Sequence, residues 1–102
     1  MRVITTAFLH EMTKKHPPAA SWIAGFIETA SAAQWKSIVE VRGQYPHADA
    51  VTVASKRTVI IFNVAGNKYR LIAAIHFSTQ IIFTLRFLTH AEYSKEHWKK
   101  EL

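Results

Sequence analysis

The sequence predicts an α+β fold, on three observations: helical spacing of apolar residues in the first half of the chain, β-branched and aromatic runs joined by short turns in the second, and a capping box opening one more short helix near the end. Helices first and a meander second imply a single domain over residues 1–102, with the N-terminal helices packed on one face of a mainly antiparallel sheet.

Arg2 to Thr5 is short and β-branched, as befits an edge strand. Residues 6–16 read as a helix, with Phe8, Leu9 and Met12 on the apolar side and Glu11, Lys14 and Lys15 on the wetter one. Pro17-Pro18 ends it and is tolerated in the first turn of a second helix running to about Ala30. Trp22, Ile23, Phe26, Ile27 and Ala30 form an apolar stripe at helical spacing and are assigned to the core. Ser31-Ala32-Ala33-Gln34 has capping-box spacing, which predicts a short third helix through Trp35 and Val39. Gly43 and Pro46 break regularity, and residues 45–54 read as a loop. Strands follow at about 57–64, 68–77 and 81–88, connected by Ala65-Gly66-Asn67 and Ser78-Thr79-Gln80, both short enough for antiparallel hairpins.

Alternation along the middle strand puts Tyr69, Leu71, Ala73, Ile75 and Phe77 on the core face and Lys68, Arg70, Ile72, Ala74 and His76 on the open face. On the last strand Leu85 and Phe87 alternate with Thr84, Arg86 and Leu88, so Arg86 is a candidate neighbour of Arg70. Thr89-His90-Ala91-Glu92 is a second capping box, which places His90 in a first helical turn and Tyr93 about one turn later, at the end of a strand.

Composition narrows the chemistry. Thirteen Lys and Arg against seven Asp and Glu give a formal net charge of +6, which favours an anionic partner: nucleic acid, an acidic protein or a phospholipid surface. The absence of cysteine excludes a disulfide framework and a thiolate metal site, and His10, His16, His47 and His97 show no metal-ligand spacing. No metal and no cofactor are expected. The first residues carry one positive charge and no long apolar run, so neither a signal peptide nor a membrane span is read there, and a cytoplasmic protein with no membrane partner is the expectation.

Cleaving RNA without a metal requires a base for the 2′-hydroxyl, an acid for the 5′-oxygen and cations near the phosphate. Arg70 supplies a forked cationic donor, His90 is a residue type that can serve as acid or base, and Tyr93 can stack on a base or donate a proton. Lys68, Arg86 and Lys95 are supporting RNA-binding candidates, and His76 is an outside one because it shares strand parity with Arg70. Each has a structural explanation as well: a capping-turn histidine and an open-face arginine are common on protein surfaces.

The blocks Ala33-Gln34-Trp35-Lys36, Tyr45-Pro46-His47-Ala48-Asp49, Phe62-Asn63-Val64-Ala65-Gly66-Asn67-Lys68-Tyr69-Arg70-Leu71 and Thr89-His90-Ala91-Glu92-Tyr93, with His16-Pro17 before them and Trp98 after, carry a resemblance along almost the whole chain. The sequence resembles the HigB-type toxins of bacterial toxin–antitoxin pairs, within the RelE-like group of mRNA interferases. That resemblance implies a RelE-like fold and a ribosome-dependent endoribonuclease that cuts mRNA on translating ribosomes. It also implies a cognate HigA-like antitoxin with a DNA-binding helix-turn-helix, so that DNA is met only through the antitoxin. By position, Arg70 resembles the arginine at the scissile phosphate, and His90 and Tyr93 the pair used in proton transfer or base stacking. Two other readings stay open on the residues alone: a basic RNA-binding module without cleavage, and an interaction domain whose charge holds an acidic protein.

Overall fold

A computed structural model describes residues 1–102. Strand β1 (Arg2–Ile4) leads into α1 (Thr6–Lys15), a 3₁₀ turn at Pro17–Ala19 and α2 (Ala20–Ala32). Then come α3 (Ile38–Gln44), β2 (Asp49–Thr52), β3 (Thr58–Val64), β4 (Tyr69–His76), β5 (Ile81–Thr89), α4 (His90–Ser94) and α5 (His97–Glu101). The five strands form one sheet in the order β1-β5-β4-β3-β2, antiparallel except for the parallel β1–β5 edge. The α+β expectation holds, and the three long strands lie within two residues of their expected ends.

Two early expectations are corrected. The Ser31 capping box does not form: Ser31 and Ala32 lie in the last turn of α2, and α3 starts later, with Ser37 at its N-cap position. The intervening chain is not helical, Trp35 is buried, and its indole N–H donates to the Gln44 side chain at 2.8 Å. Core burial of one large ring outweighs a local capping preference. Residues 45–54 are not wholly a loop either, because Asp49–Thr52 pairs with β3 as an edge strand. Four largely exposed residues have no apolar alternation to announce them, and β3 supplies their hydrogen-bonding partners.

One sheet face carries the main core. Ile60, Phe62, Val64, Leu71, Ala73, Ile82 and Phe87 pack there against Leu9, Ile23, Phe26, Ala30, Trp35 and Val41 of the helical layer. The opposite face is not simply open, as alternation alone implies. Val59, Ile61 and Ile72 form a second, smaller core with Val53 and Trp98, so α5 covers part of that face. A backbone bond from the Ala54 N–H to the Lys99 carbonyl, at 2.9 Å, ties the β2–β3 connection to α5.

The face assignment on β5 also changes. A bulge puts Ile72 opposite Arg86 but Ala73 opposite Thr84, leaving Leu85 as the extra residue. Thr84 is therefore buried opposite core-facing Ala73, with its hydroxyl paired to that of Thr5, while Leu85 joins Leu88 against the smaller core. Strict alternation cannot register an inserted residue.

Candidate functional site

The site grows from the β3–β4 hairpin. Ala65, Gly66 and Asn67 all have positive φ, at 51°, 63° and 71°, which reverses the chain over four residues between Val64 and its partner Tyr69. Glycine and asparagine tolerate that region with little cost. Arg70 follows on the face opposite Leu71, and its Nη1 donates back to the carbonyls of Asn67 and Tyr69, each at 3.1 Å. A long cationic side chain is thereby held beside the turn.

Helix α4 is fixed against the same hairpin. The His90 backbone N–H donates to the Lys68 carbonyl at 3.0 Å. The predicted capping box forms: the Glu92 N–H donates to the Thr89 hydroxyl at 3.2 Å, and the Thr89 N–H to the Glu92 carboxylate at 3.0 Å. That backbone bond holds the Glu92 carboxyl below its ordinary value, against the opposing effect of burial, with the Thr89 side chain and then the charges of Lys15 and His16 pulling the same way as the bond.

One turn along, Tyr93 presents its ring to Arg70, whose guanidinium carbon lies 5.2 Å from the ring centroid. Behind it Trp98 stacks at 5.3 Å and 14°, and the Trp98 Nε1–H donates to the Tyr93 carbonyl at 3.0 Å. Lys99 Nζ sits 5.6 Å from the Trp98 ring centroid and pairs with Glu96 at 2.8 Å, which raises its pKa. The phenol of Tyr93 is thus carried on a buried indole, beside a cation whose planar group is already oriented.

The structure brings Arg70 and Tyr93 into contact and puts His90 on the same short helix, exposed, with its Nδ1 3.5 Å from the Ser94 hydroxyl. Lys68 lies in the turn itself with an exposed side chain, and Lys95 caps the far end of α4. Arg86 does share the Arg70 face: Arg70 lies opposite Leu88 and Ile72 opposite Arg86, which makes the two arginines diagonal neighbours. Arg86 is not a solitary cation, however, since it sits 3.8 Å from the Glu101 carboxylate. His76 is not brought in. It stands six residues from Arg70 at the other end of β4, roughly 20 Å along an extended strand, and packs edge-on against Phe83. His16 is a packing residue, 4.9 Å from the Tyr69 ring and 5.7 Å from that of Phe87.

Sequence reasoning missed the part played by Trp98. A left-handed residue at Glu96 separates α4 from α5, so the Tyr93–Trp98 contact spans two helices and follows no helical spacing. The only signal was a tryptophan in an otherwise charged C-terminal segment. No three His, Asp or Glu side chains converge as a metal-ligand set, and no helix is long and apolar enough to cross a membrane.

Comparison with known proteins places the chain in a family. Residues 19–96 match the family model HigB_toxin, described as the RelE-like toxic component of a toxin–antitoxin system. The chain is 27% identical over 93 residues to the mRNA interferase toxin HigB of Escherichia coli K12, covering 91% of this chain and 88% of the relative. It is 28% identical over 95 residues to the mRNA interferase HigB of Escherichia coli O6:H1, covering 93% and 90%. An mRNA interferase HigB of Shigella flexneri is similar at 27% identity. The chain belongs to the HigB family of RelE-like toxins, the toxic components of toxin–antitoxin systems, and family membership implies a cognate antitoxin as its partner.

Proposed function

We propose that this protein is an mRNA interferase, an endoribonuclease that inhibits translation by cutting mRNA on the ribosome. The observation that carries the reading is the Arg70 guanidinium held by the hairpin turn against Tyr93, with His90 on the same capped helix. Arg70 binds the scissile phosphate and offsets the charge that builds on it as the 2′-oxygen attacks. The P–O5′ bond breaks, leaving a 2′,3′-cyclic phosphate on one fragment and a 5′-hydroxyl on the other. One of His90 and Tyr93 takes the proton from the 2′-hydroxyl, and the other delivers a proton to the departing 5′-oxygen.

No metal ion takes part in this scheme, because both proton carriers and the phosphate cation are side chains. Lys68 and Lys95 hold the flanking backbone, with Arg86 beside them. The net charge of +6 supports a polyanionic substrate. A HigA-like helix-turn-helix antitoxin covers the protein until it is released in the cytoplasm, and DNA is contacted only through that complex.

Expression without the antitoxin gene should arrest growth, and primer extension on translated mRNA should show discrete new 5′ ends. Growth arrest with intact mRNA would favour the alternative, an RNA-binding or interaction domain without cleavage.

A further inference from the structure

Beside the Arg70–Tyr93 pair lies a cleft of about 430 Å³, walled by Arg86, Leu88, Glu92, Lys95, His97, Trp98 and Glu101. Its size falls in the ~300–1,000 Å³ span of small-ligand sites. Its position is fixed by two contacts already described: Leu88 is the cross-strand partner of Arg70, and Trp98 is the stacking partner of Tyr93. The cleft therefore adjoins the two residues on which Arg70 and Tyr93 rest, one strand and one ring away.

The chemistry of the walls differs from that of a phosphate site. Two carboxylates, Glu92 and Glu101, stand among the cations Arg86 and Lys95 and the imidazole of His97, so the walls offer acceptors as well as donors, unlike a site built for phosphate alone. Half-buried Leu88 adds apolar surface on one side, and the buried edge of Trp98 closes the back of the cleft. Arg86 is anchored by an Nη1 bond to the Leu85 carbonyl at 2.8 Å, and its Nη2 is 3.8 Å from the Glu101 carboxylate. That separation is too long for a hydrogen bond, and both side chains are more than a third exposed, at 38% and 59%. A forked donor and an acceptor thus stand side by side with unused capacity, and the edge of a nucleobase, an N–H next to an acceptor, is complementary to them.

We infer that the cleft between β5 and α5 is a nucleobase subsite, in which Arg86 and Glu101 read the edge of a base adjoining the cleaved phosphodiester. The inference rests on the RNA-cleavage reading above and adds to it the residues that set base preference. Arg86 then serves recognition, not charge neutralisation.

The test pairs protein variants with mRNAs carrying a single abasic nucleotide at successive positions around the cut, in single-turnover cleavage on programmed ribosomes. For the wild type, removing the base at one position should slow cleavage about tenfold or more, the scale of a lost hydrogen bond to a charged group. Glu101→Gln and Arg86→Lys should slow the intact substrate by a similar factor and lose sensitivity at that position only, with melting temperatures unchanged. Arg86→Lys keeps the charge and removes the fork, so equal sensitivity in that variant and the wild type would overturn the edge-reading role. If the wild type cleaves but both variants keep its full pattern of abasic sensitivity, the cleft is not a base subsite and the cleavage reading stands. If the wild type cleaves no substrate, both fall together.

Discussion

Replacing Trp98 links the second core to the site, because the same ring seals the lower face of the sheet and supports Tyr93. The residue is 2% exposed. A tryptophan buries ~150–250 Å², and ~200 Å² at ~25 cal/mol per Å² corresponds to about 5 kcal/mol. A realistic unfolded chain already hides ~10–40% of that area, which lowers the figure to roughly 3–4 kcal/mol. The lost indole bond adds little, since the Tyr93 carbonyl also receives the Glu96 N–H at 3.1 Å. Trp98→Ala should therefore lose about 3–4 kcal/mol, a large part of the ~5–15 kcal/mol expected for a domain of this size. Urea unfolding followed by far-UV circular dichroism measures it, and with m of ~1–3 kcal/mol per molar the midpoint should fall by about 1–4 M. Trp98→Phe keeps a ring under Tyr93 and should retain most of both stability and cleavage. A Trp98→Ala protein within about 0.5 kcal/mol of wild type, the range of an ordinary surface change, would show that α5 does not close the sheet.

Leu71→Asp should abolish cooperative folding, because Leu71 is fully buried and an unpaired carboxylate there costs several kcal/mol; a soluble, cooperatively melting variant would invert the strand faces. His90→Gln and Tyr93→Phe should each slow single-turnover cleavage with little change in ribosome binding, and wild-type rates in both would return these residues to the helix cap and surface. Glu92 gives a pH signature. Its folded pKa is depressed, so the stability it contributes is present above the ordinary carboxyl value of 4.5 and is lost as pH falls through the lower folded value. Thermal melts of wild type and Glu92→Gln should differ at neutral pH and converge under acid, and a difference independent of pH would assign the effect to something other than the charge.

The three long strands and the Thr89 cap were legible in the sequence because each is specified locally, by β-branched runs, a Gly-Asn turn and a four-residue hydrogen-bonding pattern. Leu71 inside and Arg70 outside followed from alternation on a strand that carries no inserted residue. What was not legible depends on contacts between distant segments. The Leu85 bulge, the β2 edge strand and the docking of Trp98 onto Ile72 are each decided by a partner elsewhere in the chain. For the site, helical and strand parity brought Arg70 and Tyr93 near one another, yet the Arg86–Glu101 pair needed the return of α5 to the sheet. His76 shows the limit of parity, which assigns a face and not a distance.

The most direct measurement is single-turnover mRNA cleavage by Arg70→Ala alongside wild type, with the melting temperature recorded for both. Arg70 lies at the turn end of β4, half-buried, its bonds go to local carbonyls and its guanidinium rests on Tyr93, so its removal should cost about 1 kcal/mol, chiefly that cation–π contact, and leave the protein folded. The phosphate cation, in contrast, should account for about 10²–10³ in rate, the scale seen for a transition-state charge donor. A folded Arg70→Ala protein that no longer produces fragments ending in a 2′,3′-cyclic phosphate is the predicted result; one that cuts mRNA at the wild-type rate would contradict the account.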